Sequence, residues 1–394
     1  LENKPDKVTG VIEWKAGTNE AEIYDGGILP IEPGPARDFY PNREGWNRFS
    51  NLSVKVNIDG KISDKAQGHI TLWRPDATYD YMGRGTHIDT AYVDVQDGLF
   101  KGVDWRLGKQ YFKTGCGLVF DNDLFPSEAA KLSFNLGGLD LTGFFGWTDF
   151  SPMEEASEEP TYVGEAKYSL GRLDLDGTYM FRGEGGARRW GIAAGYNGLD
   201  VPFFGLKANV KGEWASIVDA IGGGVLPPGI SDEAYYARAD LMGKGWEPGD
   251  WMFTTTWAEQ QLGYLALLNS THPYSIGVLY NGLPWDYMLS DNVTMGQPGM
   301  FAYSAGLSGE IANMPINLRW ARWSPTGTLL AAISAPAGVD FGIDVYQVTL
   351  DKELAEGVMA RLTWANFKPS IDSPVPIPYD LEAQYVGGSL NVLF

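Results

Sequence analysis

The sequence is poor in the residues that carry most protein chemistry. Among its 394 residues there is one cysteine, Cys116, which excludes an intramolecular disulfide and any CxxC metal or redox motif. Three histidines, His69, His87 and His272, lie far apart, so no HExxH-type zinc spacing exists. Lone histidines of this kind are read as structural or solvent-facing, and no metal or other cofactor is assigned. Basic residues are also few. The 30 Lys and Arg against 50 Asp and Glu give a formal charge of -20, the wrong sign for nucleic acid, whose phosphates need clustered Lys and Arg. Such a field attracts cations and basic partners instead.

Long apolar runs are missing as well. The longest uncharged stretch, from Gln260 to Trp285, is interrupted by Asn269, Pro273, Asn281 and Pro284, so no spanning helix is expected. No basic-then-apolar leader is present, and the chain opens at Leu1 as a processed protein would. Nor does a Ser-His-Asp arrangement, a glycine-rich phosphate loop or a metal cluster stand out. The chain is therefore read as not an enzyme.

What is present in quantity is glycine (50), tyrosine (20) and tryptophan (14), a composition suited to strands and tight turns. A two-residue period accompanies it. Leu52, Val54, Val56 and Ile58 alternate with Ser53, Lys55, Asn57 and Asp59; Leu132, Phe134 and Leu136 alternate with Lys131, Ser133 and Asn135. After Gly137 and Gly138 the pattern resumes with Leu139, Leu141, Phe145 and Trp147 on one side, which spells a hairpin. The last residues behave likewise: Val386, Gly388, Leu390, Val392 and Phe394 alternate with Ser389 and Asn391. This end is expected to pair with the first strand near Val8 to Lys15 and close the sheet.

About eighteen such runs are readable, from 8–17 and 48–59 to 356–367 and 380–394, with sixteen as the alternative count. Short turns follow the even-numbered runs, and long irregular segments follow most odd-numbered ones. Loops segregated by length at two rims fit a transmembrane antiparallel up-and-down β-barrel with short periplasmic turns and long extracellular loops. Residues 1–394 then form one all-β domain, multi-pass in a bacterial outer membrane. Tryptophans in or near the runs, Trp14, Trp73, Trp147, Trp190, Trp214, Trp257 and Trp364 among them, suit interfacial girdles against membrane lipid.

The sequence here resembles bacterial outer-membrane porins. The likeness is carried by the terminal "SLNVLF" with Phe394 last, by the loop architecture, and by "VDWRLGKQYF" at 103–112. That last string is similar to the strand segment that, in trimeric general porins, leads into a loop folded inside the barrel. The resemblance implies passive diffusion of small hydrophilic solutes, an assembly signal at Phe394 read by the outer-membrane assembly machinery, and a homotrimer as one oligomeric state. It also implies that 113–128 folds into the lumen, with Asp121 and Asp123 as constriction acids opposed to Arg106, Lys55 and Lys15. The apolar "LGYLALL" makes 262–298 a second candidate for a lumen-folded loop.

With apolar faces toward lipid, the polar faces line the lumen. The inward set is Lys15, Lys55, Asp94, Asp104, Arg106, Gln110, Lys131, Glu165, Lys167, Lys207, Lys211, Glu213, Arg238, Asp240, Arg319 and Arg361. The net acidity suggests a preference for cations. Acids in external segments, such as Glu154, Glu155, Glu158 and Glu159, are read as solvated. Two other readings stay open: a barrel sheathing a partner such as a multihaem cytochrome, and a soluble secreted all-β carbohydrate-active protein, for which two carboxylates would suffice.

Overall fold

The computed structural model describes residues 7–21, 46–74, 86–122, 126–147, 160–183, 188–202, 205–219, 233–243, 251–261, 300–325, 340–372 and 383–394. They form an eighteen-stranded sheet. In chain order the strands begin with β1 (Lys7–Ala21), β2 (Trp46–Ser63), β3 (Ala66–Arg74), β4 (His87–Val95), β5 (Val103–Gln110) and β6 (Ser127–Leu136). There follow β7 (Leu139–Trp147), β8 (Thr161–Leu170), β9 (Leu173–Arg182), β10 (Arg188–Val201), β11 (Leu206–Asp219) and β12 (Glu233–Met242). The last are β13 (Met252–Gln260), β14 (Met300–Ile311), β15 (Met314–Pro325), β16 (Asp340–Ala355), β17 (Val358–Asp372) and β18 (Ala383–Leu393).

Each strand pairs antiparallel with the next, and β18 returns to β1. In that seam Trp14 lies opposite Leu390 and Lys15 opposite Ser389. Gly10 and Phe394 extend it by exchanging backbone hydrogen bonds of 2.9 and 3.1 Å. The sheet is thus closed and has no edge left to pair with another chain. Its short turns use the left-handed backbone that tight hairpins need: Gly137 and Gly138 (φ 60° and 94°) between β6 and β7, Ala312 and Asn313 (φ 50° and 58°) between β14 and β15.

The two faces divide as the alternation requires. One parity carries the large apolar side chains exposed on the outside, including Trp14, Ile70, Ile192, Trp257 and Leu362. Aromatic pairs stack along that exterior, such as Tyr162 with Phe181 and Trp190 edge-on to Trp214. In water such a surface would be costly; against hydrocarbon it is the wall of a transmembrane barrel. The soluble all-β alternative is overturned, because a single closed sheet with its apolar face outward has no use for water on that side. Trp73 departs from the expected girdle. It lies opposite Lys55 in the register, and its indole N–H donates to Ser53 Oγ at 3.2 Å on the inward face.

Candidate functional site

The inner wall is ordered in rows, since residues opposite one another in register share a face. One row runs Phe144, Val163, Met180, Arg189 and Ile217 across β7 to β11. Another runs Asp140, Lys167, Asp176, Ala193, Glu213, Tyr236 and Ala258 across β7 to β13. Against this surface lies the segment 111–122, which leaves the end of β5. Cys116, Leu118, Val119 and Phe120 are buried in one cluster with Phe144, Val163, Met180, Ile217, Tyr236 and Ala258. A stretch this short reaches strands from β7 to β13 only along a chord across the inside of the barrel. We call it the strap.

The strap is a small hairpin in its own right. Thr114 N–H donates to Phe120 O at 3.0 Å, and Lys113 pairs with Asp121 as an isolated bridge. At its root, Asn122 closes the hairpin by accepting from Phe112 N–H at 2.5 Å and donating to Gln110 O and Ser127 Oγ. Phe112, Phe120 and Phe144 form an aromatic cluster with centroids 5.1 to 6.0 Å apart. At the tip, backbone amides meet carboxylates of the far wall: Gly115 N–H to Asp176 at 3.0 Å, Cys116 N–H and Leu118 N–H to Glu213 at 2.5 and 3.2 Å. Burial, with Glu213 beside it, pushes the Cys116 thiol up to about 11.

Facing the root of the strap, β2 to β6 carry a different surface. Arg106 grips Asp94 with two hydrogen bonds of 2.7 and 2.9 Å and lies 4.1 Å over the ring of Tyr92. His69 stacks on Tyr92 and bonds Asp59 at 2.6 Å and Thr71 at 2.9 Å. Lys55 lies 5.5 Å over the Trp73 ring and pairs at 2.8 Å with Asp89, which also accepts from Tyr111 Oη at 2.5 Å. Lys131 extends over Phe112. Further round, Lys167 pairs with Glu165, Arg238 with Asp240, and Arg361 with Asp351.

The register puts every described residue of the expected inward set on the inner parity, Asp104, Lys207, Lys211 and Arg319 included. Two of them do other work than lining. Gln110 is fully buried, and its amide donates to the carbonyls of Arg106, Gly108 and Ala129, sealing the strap's root. Glu213 is turned to the strap. Asp121, expected opposite Arg106, Lys55 and Lys15, has an ion-pair partner inside the strap itself. It is fully buried and held 2.6 Å from Lys113 within the strap, because a carboxylate taken out of water needs a counter-charge at hand. Lys15 lies on the inner parity by register, whereas its side chain falls outside the described residues, as do Asp123, 262–298 and the acids from Glu154 to Glu159.

Sequence reasoning missed Asp89, Tyr92, Trp73, Asp176 and the aromatic cluster. A signal for the cluster was present. Phe144–Phe145, Met180–Phe181 and Ile217–Val218 are apolar on both faces, and a doubly apolar strand segment needs a cover on its inner side.

No protein-family model matches the chain, and no curated protein matches it in sequence. Solved structures do match. OccAB2 of Acinetobacter baumannii aligns over 100% of both chains with a TM-score of 0.59 at 10% identity. OpdL of Pseudomonas aeruginosa gives 0.59 at 11% identity, covering 98% of this chain and 99% of its own. The outer membrane protein opdK of the same species gives 0.54 at 9% identity, covering 98% of each. The likeness is one of fold, and it extends over the whole chain.

Proposed function

We propose that this chain is a bacterial outer-membrane channel through which small hydrophilic solutes diffuse passively, with a preference for cations, and that the strap narrows its passage. The reading rests on one observation above all: a closed barrel, apolar outside, whose inner wall holds charges of both signs that remain partly open to water. Lys55 and Arg106 keep 38% and 29% of their side chains accessible despite their acidic partners. A barrel of this strand number is wide enough for an aqueous lumen, and charged walls at close quarters set which solutes pass. The fold shared with opdK, an outer membrane protein by its name, supports the location.

The strap takes the role given to it by the porin resemblance, with a revised set of charges. Arg106 with Asp94, Lys55 with Asp89, and Lys131 border its root, while Asp121 is neutralised inside it. Cation preference follows from the excess of acid over the whole chain. Insertion through β18 and Phe394 by the outer-membrane assembly machinery, and a homotrimer, belong to the same reading.

Planar-bilayer recording tests it. Discrete ion-conducting steps are expected, with a reversal potential of cation-selective sign in a KCl gradient; purified protein that never conducts would sink the open channel. A haem protein co-purifying in fixed stoichiometry would favour the sheath reading instead. Chemical crosslinking that gives only single barrels would remove the trimer, and normal insertion of Phe394→Ala would remove the assembly role.

A further inference from the structure

We infer that Glu213 and Asp176 are positioning residues that clasp the strap tip, and that this clasp, rather than the wall itself, sets the width of the passage. The inference rests on the channel reading of the same site. It starts from the shape of the tip. Gly115 and Gly117 take left-handed backbone (φ 51° and 101°), which turns the amides of Gly115, Cys116 and Leu118 toward one side. Successive amides aimed together in this way form an anion-binding concavity.

The far wall supplies the anions and a seat between them. Asp176 on β9 and Glu213 on β11 lie in one register row with Ala193 between them. Gly191, one inward position along β10, completes a floor of small residues; a Cβ there would stand 2.6 Å from Val119 Cγ2. A Cβ on Gly115 would likewise stand 3.0 Å from the Glu213 carboxylate. Small floor, flanking carboxylates and converging amides together make a receptacle fitted to this tip. Charge-assisted bonds to backbone amides are the strong members of their class, and here they join residues 97 and 61 positions apart.

The rest of the strap can leave this seat without unravelling. Its own ladder, its Lys113–Asp121 pair and its Asn122 root are all internal or at β5 and β6. None of the barrel's strand pairing depends on the tip. The strap is thus a hairpin hinged at one wall and held at the other by two devices, apolar packing along its length and the carboxylate clasp at its tip, and the clasp can be loosened while the packing remains.

The test compares wild type with Glu213→Gln, Asp176→Asn and the double variant, in detergent micelles and planar bilayers. Each must first show the heat-modifiable gel mobility of a folded barrel. Hydrogen exchange of amides in 112–122 is expected to quicken about tenfold or more in Glu213→Gln, while exchange in β14 to β18 is unchanged. Single-channel currents are expected to become larger and noisier. Should the double variant fail to assemble, Asp176→Asn alone still decides, through exchange at Gly115. Wild-type exchange in both single variants would overturn the clasp. Quickened exchange with no conduction from any form, wild type included, would uphold the clasp and refute the channel.

Discussion

One inward row of side chains runs through both halves of the wall and changes character on the way. From β3 to β6 it reads Gln67, Asp94, Arg106 and Lys131; from β7 to β11 it reads Phe144, Val163, Met180, Arg189 and Ile217. The first part starts near the short turns and stays half-exposed, with charge answering charge across strands. The second part has climbed toward the long connections, as tilted strands in a barrel require, and it is buried beneath the strap. Parity alone therefore does not say what a wall position meets. Where the strap is absent the inner face must satisfy water, and where it lies the same face must satisfy a packed hairpin.

The comparison breaks most visibly at Phe144. Phe144→Ala removes a ring stacked on Phe112 and tilted against Phe120 and should cost the docked strap about 3 kcal/mol. Hydrogen exchange across 112–122 would show it, and an unshifted thermal melt of the barrel would show that the loss is confined to the strap. Next in size is Gly191→Ala. Its new Cβ would press on Val119 and on Trp214 O, at a cost of about 1–3 kcal/mol, read as the same exchange pattern at a smaller amplitude.

The charged half should respond in the opposite way. Arg106→Gln leaves Asp94 without its bidentate partner, yet a partly exposed pair contributes less than about 1 kcal/mol. Stability should hold while the reversal potential moves further toward cations. A change in melting with no change in selectivity would reverse the assignment of the two halves.

The smallest effect is a pH dependence at the strap. Docking raises the Cys116 thiol to about 11 from an ordinary 9.0, chiefly by burial. A raised value means the docked state favours the protonated thiol, so its contribution is whole below about 9 and fades as pH climbs toward 11. Alkylation of Cys116 should keep accelerating between about pH 10 and 11, where an ordinary thiol, already almost fully ionised, levels off. A plateau by about pH 10 would show that the tip is not seated as described.

Much of the wall was legible beforehand. Strand number, strand order, the β1–β18 seam and the facing of Lys55, Arg106, Lys131 and Lys211 all follow from a strict two-residue period, which a sheet converts into two faces without further information. Asp89 escaped for a local reason. A register shift between Thr71 and Leu72 sets Thr90 and Ile88 opposite consecutive residues of β3, leaving Asp89 unopposed and free to turn inward out of phase with Asp94. Bulges of this kind leave no mark in an alternation pattern. Asp121 escaped for a different one: Lys113, its partner, lies across a hairpin that no periodicity announces.

By itself, then, the sequence determined what repeats: eighteen alternating strands, apolar outward, polar inward, closed end to end. Each of those features depends on neighbours a fixed distance away along the chain or across a ladder. The resemblance led 113–128 to be expected inside the barrel; the tertiary structure alone decided what happens once, that Glu213 and Asp176 receive the tip of 111–122 and that Lys113 neutralises Asp121 within it. The tip contacts join a segment leaving β5 to side chains on β9 and β11, strands that only the curved and closed sheet brings within its reach, and the Lys113–Asp121 pair needs a hairpin turn that no strand period encodes.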